Sequence, residues 1–178
     1  KADKQIFFTN YQKVLKFLAA NPGREYMERD VREATGISKA GANNALRSLF
    51  ADRLVEIEKK GRLSLYHVNP KNPLIRQIKV LINLSALDEL VAALKDLSDK
   101  IVLFGSGATG TDSEDSDIDL FVLSDIPDAV RKTVEKKSGK RQIHLVVRKP
   151  LDYIATKKKE KLFYDEVSRG IVLHERQQ

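Results

Sequence analysis

Apolar positions recur with two different periods along the chain, and the changes of period mark out its elements. Between residues 10 and 20, Val14, Leu15, Phe17 and Leu18 recur at helical spacing, and Asn21-Pro22-Gly23 supplies a stop. A second helix is predicted over 27–34. Thr35-Gly36-Ile37-Ser38 then makes a tight turn, with Ser38 as N-cap of a third helix running to Asp52. On this third helix Ala42, Ala45, Leu46, Leu49 and Phe50 share an apolar face, while Lys39, Asn43 and Arg47 line another with Asn44 beside them. Gly41 costs a helix interior about 1 kcal/mol relative to Ala, which close approach to a DNA backbone or tight packing would explain. The period then falls to two. Residues 54–58 and 63–68 read as strands around Lys59-Lys60-Gly61-Arg62, a hairpin tip with three cations. Asn69-Pro70-Lys71-Asn72-Pro73 suits a stiff domain boundary. Helices are predicted over 74–84 and 87–97, the second with an apolar stripe of Leu87, Leu90, Val91, Leu94 and Leu97 that suits a core.

The densest signal lies at 101–123. An apolar run, Ile101 to Phe104, stops at Gly105-Ser106, and a polar loop leads into a second apolar run that carries Asp117 and Asp119. In a strand, residues two apart share a face, so these two carboxylates are expected to converge and to call for a divalent cation. The turn at Gly105-Ser106 offers backbone N–H groups and a hydroxyl to phosphate. Three familiar motifs compete for the same letters. GSGATG matches a dinucleotide fingerprint, but the polar segment after Gly110 is too short for a crossover helix. A Walker loop would need Lys-Ser/Thr where Thr111-Asp112 stand, and an EF-hand would need glycine where Leu120 stands. Beyond this stretch, a helix is predicted over 128–137, a strand over 141–147, a helix after Pro150 and a short strand over 171–173. The run 157–161, rich in lysine, reads as a solvated surface that could also meet a triphosphate or nucleic acid, and Tyr153, Phe163 and Tyr164 read as core.

Phe104-Gly105-Ser106-Gly107-Ala108-Thr109-Gly110 followed by Ser116-Asp117-Ile118-Asp119-Leu120 resembles the minimal nucleotidyltransferases of the DNA polymerase β superfamily. The resemblance implies that Gly105 and Ser106 hold the triphosphate of an NTP substrate, and that Asp117 and Asp119 are the catalytic carboxylates holding Mg²⁺ or Mn²⁺. Where the superfamily supplies a third carboxylate from a later strand, this chain has Ile143-His144-Leu145-Val146. His144 is therefore the third candidate metal ligand; imidazole suits Mn²⁺ or Zn²⁺ better than Mg²⁺, so the metal differs or a general base is missing. Such transferases often act as antitoxins beside small helical HEPN ribonucleases, which makes a HEPN protein a candidate partner.

Composition refines this picture. The chain has 178 residues, no Cys and a formal net charge of +7. That charge is uneven: residues 1–71 carry 14 Lys/Arg against 8 Asp/Glu, and residues 72–178 carry 18 against 17. A basic N-terminal third with a helix-turn-helix and a cationic hairpin resembles the winged-helix DNA-binding domains of prokaryotic regulators over residues 6–70. Lys39, Asn43, Asn44 and Arg47, with Lys59, Lys60 and Arg62, are its candidate contacts to double-stranded DNA. The helix at 74–84 is a candidate homodimer element. No apolar run is long enough to span a membrane, and a cytoplasmic protein is expected. The expected fold is α+β: a winged helix-turn-helix over 1–70, a helical connection over 71–98, and a small polymerase-β-like nucleotidyltransferase domain over 99–178 with a mixed sheet flanked by helices. Three functions follow: an NMP transferase acting on an unidentified acceptor, a regulator whose degenerate transferase domain senses nucleotide, or an antitoxin.

Overall fold

The computed structural model describes residues 6–176 except 114, 138, 140, 157 and 158. Its packing divides into two units, Lys1–Ser85 and Ala86–Gln178.

In the first unit, helix α1 (Asn10–Ala20) starts at a capping box in which the Thr9 side chain accepts from the Gln12 amide. Helix α2 (Glu28–Thr35) ends at Gly36, whose φ of 67° only glycine adopts without strain. Helix α3 (Lys39–Ala51) begins at Ser38, whose side chain accepts from the Gly41 amide. Strands β1 (Glu56–Lys60) and β2 (Leu63–His67) pair antiparallel, and a bridge between Tyr26 and Tyr66 ties this hairpin to the segment before α2. Val14, Leu18, Val31, Ala42, Leu46, Leu49, Val55 and Val68 form the core. Three expectations are corrected. Phe50, assigned to the apolar face of α3, is 51% exposed, because it lies at the rim, one position past Leu49. The first strand begins at Glu56, two residues later than predicted, because the chain first turns through Asp52 and Arg53, the latter at φ 58°. The proline segment leads straight into a single helix α4 (Pro73–Leu94), where two helices were predicted. Ser85 and Ala86 contain no breaker, so the hydrogen-bond ladder runs on, and Ile75, Ile78 and Ile82 still pack on the first core.

The second unit takes its first buried residues, Leu87, Leu90, Val91 and Leu94, from the end of α4; a 3₁₀ turn (Lys95–Leu97) follows. Strand β3 (Lys100–Phe104), a short helix α5 (Gly105–Thr109), strand β4 (Ile118–Leu123), helix α6 (Pro127–Lys137), strand β5 (Ile143–Arg148), helices α7 (Pro150–Thr156) and α8 (Lys161–Ser168) and strand β6 (Ile171–Glu175) complete it. The sheet order is β5-β4-β3-β6; β4 and β5 are parallel, and the other pairs are antiparallel. Every β3 residue from Ile101 to Phe104 is buried, as expected of a central strand covered on both faces. The run Ile118, Leu120 and Val122 lies on one face of β4 and Asp119 and Phe121 on the other. Phe104, Phe121 and Tyr164 cluster on the Asp119 face, with Tyr153 and Phe163 packed against them, so these aromatic residues are core as predicted. Gly170 lets β6 close against β3, since a Cβ there would stand 2.5 Å from the Leu103 carbonyl oxygen. The antiparallel β3–β4 pair excludes the dinucleotide-binding βαβ unit; the parallel crossover occurs one step later, through α6.

The Tyr11 hydroxyl on α1 donates to Asp52 Oδ2 at the end of α3 at 2.7 Å. Burial first, and the Asp52 hydrogen bond and charge next, push its pKa from 10.0 to about 12. Unfolded chains lose this proton first, so the stability it carries is present below pH 10.0 and is lost as pH rises toward 12. Tyr11→Phe is expected to lower unfolding free energy by about 1 kcal/mol at neutral pH in urea titrations. The difference between wild type and variant should shrink through that alkaline window.

Candidate functional site

Three strands place one row of residues side by side. Phe104 on β3 pairs with Asp119 on β4, and Asp119 pairs with His144 on β5. Across the row, His144 Nδ1–H donates to Asp119 Oδ1 at 2.9 Å. On this face the aromatic cluster takes in Phe104 at one end of the row and the next residues along, Phe121 and Val146, while Asp119 and His144 are not part of it. The Asp119 side chain remains 25% exposed and that of His144 61% exposed. A partly open carboxylate at the lip of an apolar sheet is thus available to a ligand.

Gly105 follows Phe104 immediately and has φ 66°. A Cβ there would stand 2.5 Å from Asp119 Oδ2. Glycine is required twice over at this position, for the backbone angle and for the space the carboxylate occupies. Ser106 and Gly107 continue into α5, which ends at Gly110 with φ 69°. Gly105, Ser106 and Asp119 are therefore brought to one corner.

Asp117 is exposed and lies in the loop one residue ahead of β4. Strand alternation alone does not set its direction, which corrects the expectation that both carboxylates project from one strand. Among the described residues no group of three or more His, Asp or Glu side chains is gathered to hold a metal ion, so the proposed set of Asp117, Asp119 and His144 does not form a closed cage. The site nonetheless fits Mg²⁺ or Mn²⁺ bound with a nucleotide: Mg²⁺ in such sites takes one or two carboxylates, keeps several waters and completes its shell with substrate phosphates. The partly exposed Asp119 carboxylate can supply one such ligand.

Two residues absent from the sequence reading as site groups shape the loop before Asp117. The Asp112 carboxylate is fully buried and accepts from Arg141 Nη1 at 2.7 Å. They stand 29 positions apart, so neither motif nor periodicity could link them; Arg141 was read only as the first residue of a strand, which in fact begins at Ile143.

In the first unit Lys39, Asn44 and Arg47 are exposed along α3 and Asn43 is half-buried. A Cβ on Gly41 would stand 2.7 Å from Asn10 Nδ2, the end of an exposed side chain, and 3.2 Å from Ser38 Oγ. At the hairpin Lys59 and Arg62 are exposed on either side of Gly61. Lys60 Nζ is engaged by Glu25 at 2.8 Å and by Glu58 at 3.6 Å. The Glu25 hydrogen bond is the main reason that the Lys60 pKa is raised, and the same contact holds the Glu25 carboxyl below its usual range. Of the lysine run at 157–161, Lys157 and Lys158 lie outside the described residues.

No described helix is long and apolar enough to cross a membrane. No characterised protein matches the chain in sequence. Residues 87–174 match the family described as "Nucleotidyltransferase domain", a span that begins on the buried stripe of α4 and ends within β6. That span contains the Gly105 corner, the Phe104–Asp119–His144 row and the aromatic cluster beneath it, and the chain accordingly carries a nucleotidyltransferase domain in its C-terminal half.

Proposed function

We propose that the protein is a DNA-binding minimal nucleotidyltransferase that moves a nucleoside monophosphate from an NTP to an acceptor hydroxyl. The observation that carries this reading is the corner itself, where Gly105 has no side chain and Asp119 Oδ2 fills the space. The oxygen of the acceptor hydroxyl bonds to the α-phosphorus as its proton passes to solvent, the bond from the α-phosphorus to the bridging β-phosphate oxygen breaks, and pyrophosphate leaves. Gly105 and Ser106 bind the triphosphate, and Asp117 and Asp119 hold the divalent cation. That cation, Mg²⁺ or Mn²⁺, supplies charge neutralisation at the phosphates. His144 orients the Asp119 carboxylate through its 2.9 Å hydrogen bond. The same contact favours a second reading, a regulator that senses nucleotide without turnover, because it occupies a carboxylate oxygen that a metal would need.

The N-terminal unit is proposed to be a winged helix, with α3 entering the major groove and the β1–β2 hairpin as its wing. Lys39, Asn43, Asn44 and Arg47 face base edges and phosphates; Lys59 and Arg62 contact phosphates. Lys60 contributes less, because Glu25 and Glu58 already engage it.

With Mn²⁺ or Mg²⁺ and candidate acceptors, the full chain is expected to label an acceptor from NTP labelled at the α-phosphate and to release labelled pyrophosphate from NTP labelled at the γ-phosphate. Asp119→Ala should reduce transfer roughly hundredfold or more, since it removes several kcal/mol of charge stabilisation. Nucleotide binding without any transfer would favour the sensing reading.

Gly105→Ala is expected to abolish transfer and lower the melting temperature, as the new Cβ meets Asp119 and the backbone angle adds about 1–2 kcal/mol of strain. Wild-type activity in this variant would contradict the assignment of the corner.

Duplex DNA binding is expected to weaken steeply with salt, and the variants Arg47→Ala, Lys59→Ala and Arg62→Ala should each reduce the salt slope by about 1 where a phosphate contact is lost. Salt-independent binding would remove DNA from the proposal.

A further inference from the structure

We propose that Arg141 and Asp112 are a positioning pair that sets the affinity of the site for its divalent cation, by fixing the main chain on either side of Asp117. The inference rests on the proposed role of Asp117 as a cation ligand.

A single guanidinium reaches both ends of the loop between Gly110 and β4. Arg141 Nη1 donates to the fully buried Asp112 carboxylate at 2.7 Å. On the far side, Nε and Nη2 both donate to the Ser116 carbonyl oxygen, at 3.0 and 2.6 Å. That oxygen belongs to the peptide plane shared with the Asp117 nitrogen, so two converging donors set the orientation of the plane. One residue later the Ile118 amide donates to the Gln142 carbonyl at 2.9 Å. Asp117 is held between these two anchors, both supplied by the residues that lead into β5.

Among the described residues, further hydrogen bonds tie the loop to itself and to α5. Ser113 N donates to Ser116 Oγ at 2.9 Å, the two hydroxyls are 2.9 Å apart, and Thr111 N donates to the Ser106 carbonyl at 3.1 Å. These bonds shape the loop within itself, and Arg141 links it to the residues that lead into β5. A buried ion pair contributes little net stability compared with apolar residues of the same volume. What it supplies here is direction, because the planar guanidinium donates along two axes at once, toward a carboxylate and toward a carbonyl. Lysine retains the charge but cannot reproduce the fork.

The test uses the full chain and Mn²⁺ alone, titrated by loss of the free-ion paramagnetic resonance signal, alongside thermal unfolding and amide exchange. Asp117→Ala should weaken Mn²⁺ binding, which checks the underlying ligand role. Arg141→Lys and Asp112→Asn should each weaken it by about tenfold, the size typical of groups that orient metal ligands. In Arg141→Lys the melting temperature should stay within a few degrees of wild type, while exchange at the Asp117 and Ile118 amides quickens relative to the centre of β4. Should Arg141→Lys fail to fold, Asp112→Asn carries the same comparison. The proposal is overturned if both variants bind Mn²⁺ like wild type while Asp117→Ala does not, or if lost affinity simply follows lost melting temperature across the set. If wild type and Asp117→Ala bind Mn²⁺ equally, the ligand role of Asp117 fails and the positioning pair fails with it.

Discussion

The geometry of the C-terminal unit depends on the contact between a glycine and a carboxylate. Gly105 leaves β3 at a φ that side chains rarely adopt, and the volume where its Cβ would lie is taken by Asp119 Oδ2. The bend and the acid therefore require each other: without the glycine the chain could not turn so tightly against β4, and without the turn the carboxylate would face an extended strand. The antiparallel register of β3 and β4 brings Phe104 opposite Asp119, so the contact follows from the pairing of the two most buried strands. A polar group at the edge of an apolar sheet is thereby held in place by the same hydrophobic burial that stabilises the domain.

The remaining polar parts are arranged around that contact by strand order. The crossover through α6 returns β5 parallel to β4, which places His144 against Asp119 on one side of the site and Arg141 beneath the loop on the other. Strand β5 and the residues that lead into it thus reach both candidate carboxylates by different means, His144 through a side-chain hydrogen bond and Arg141 through the main chain. The aromatic cluster of Phe104, Phe121, Tyr153, Phe163 and Tyr164 fills the same face next to the row and keeps water from the sheet below it. In the N-terminal unit caps play the corresponding part: Thr9, Ser38 and Gly36 define where three short helices begin and end, and α3 presents its polar residues outward because Ala42, Ala45, Leu46 and Leu49 are buried.

Much of this was legible in the linear chain. Thr35-Gly36-Ile37-Ser38 announced a helix end and a helix start, and each was found at those residues, since caps depend on local hydrogen bonds and on the φ that glycine permits. The Gly105 bend was likewise readable, because an apolar strand that stops at Gly-Ser is a local signal, whereas His144 was singled out only through the resemblance and its register opposite Asp119 was not. The single helix over Pro73–Leu94 was missed, as periodicity broke at Ser85 and Ala86 without any breaker to stop the ladder. The ion pair of Lys60, a candidate DNA contact, with Glu25 was not legible, since the two stand 35 positions apart.

The sequence by itself determined the helix boundaries set by caps, the glycine bend after an apolar strand and the nucleotidyltransferase character of the C-terminal half. Those properties arise from neighbours in the chain, whose mutual geometry is nearly independent of the fold. Only the tertiary structure decided that Asp119 shares a hydrogen bond with His144, that Asn10 lies beside Gly41, and that Asp112 is buried and paired with Arg141. Each of these joins residues 25 or more apart or on separate elements, and such contacts exist only once the apolar faces have packed and fixed which polar groups are left within reach of one another.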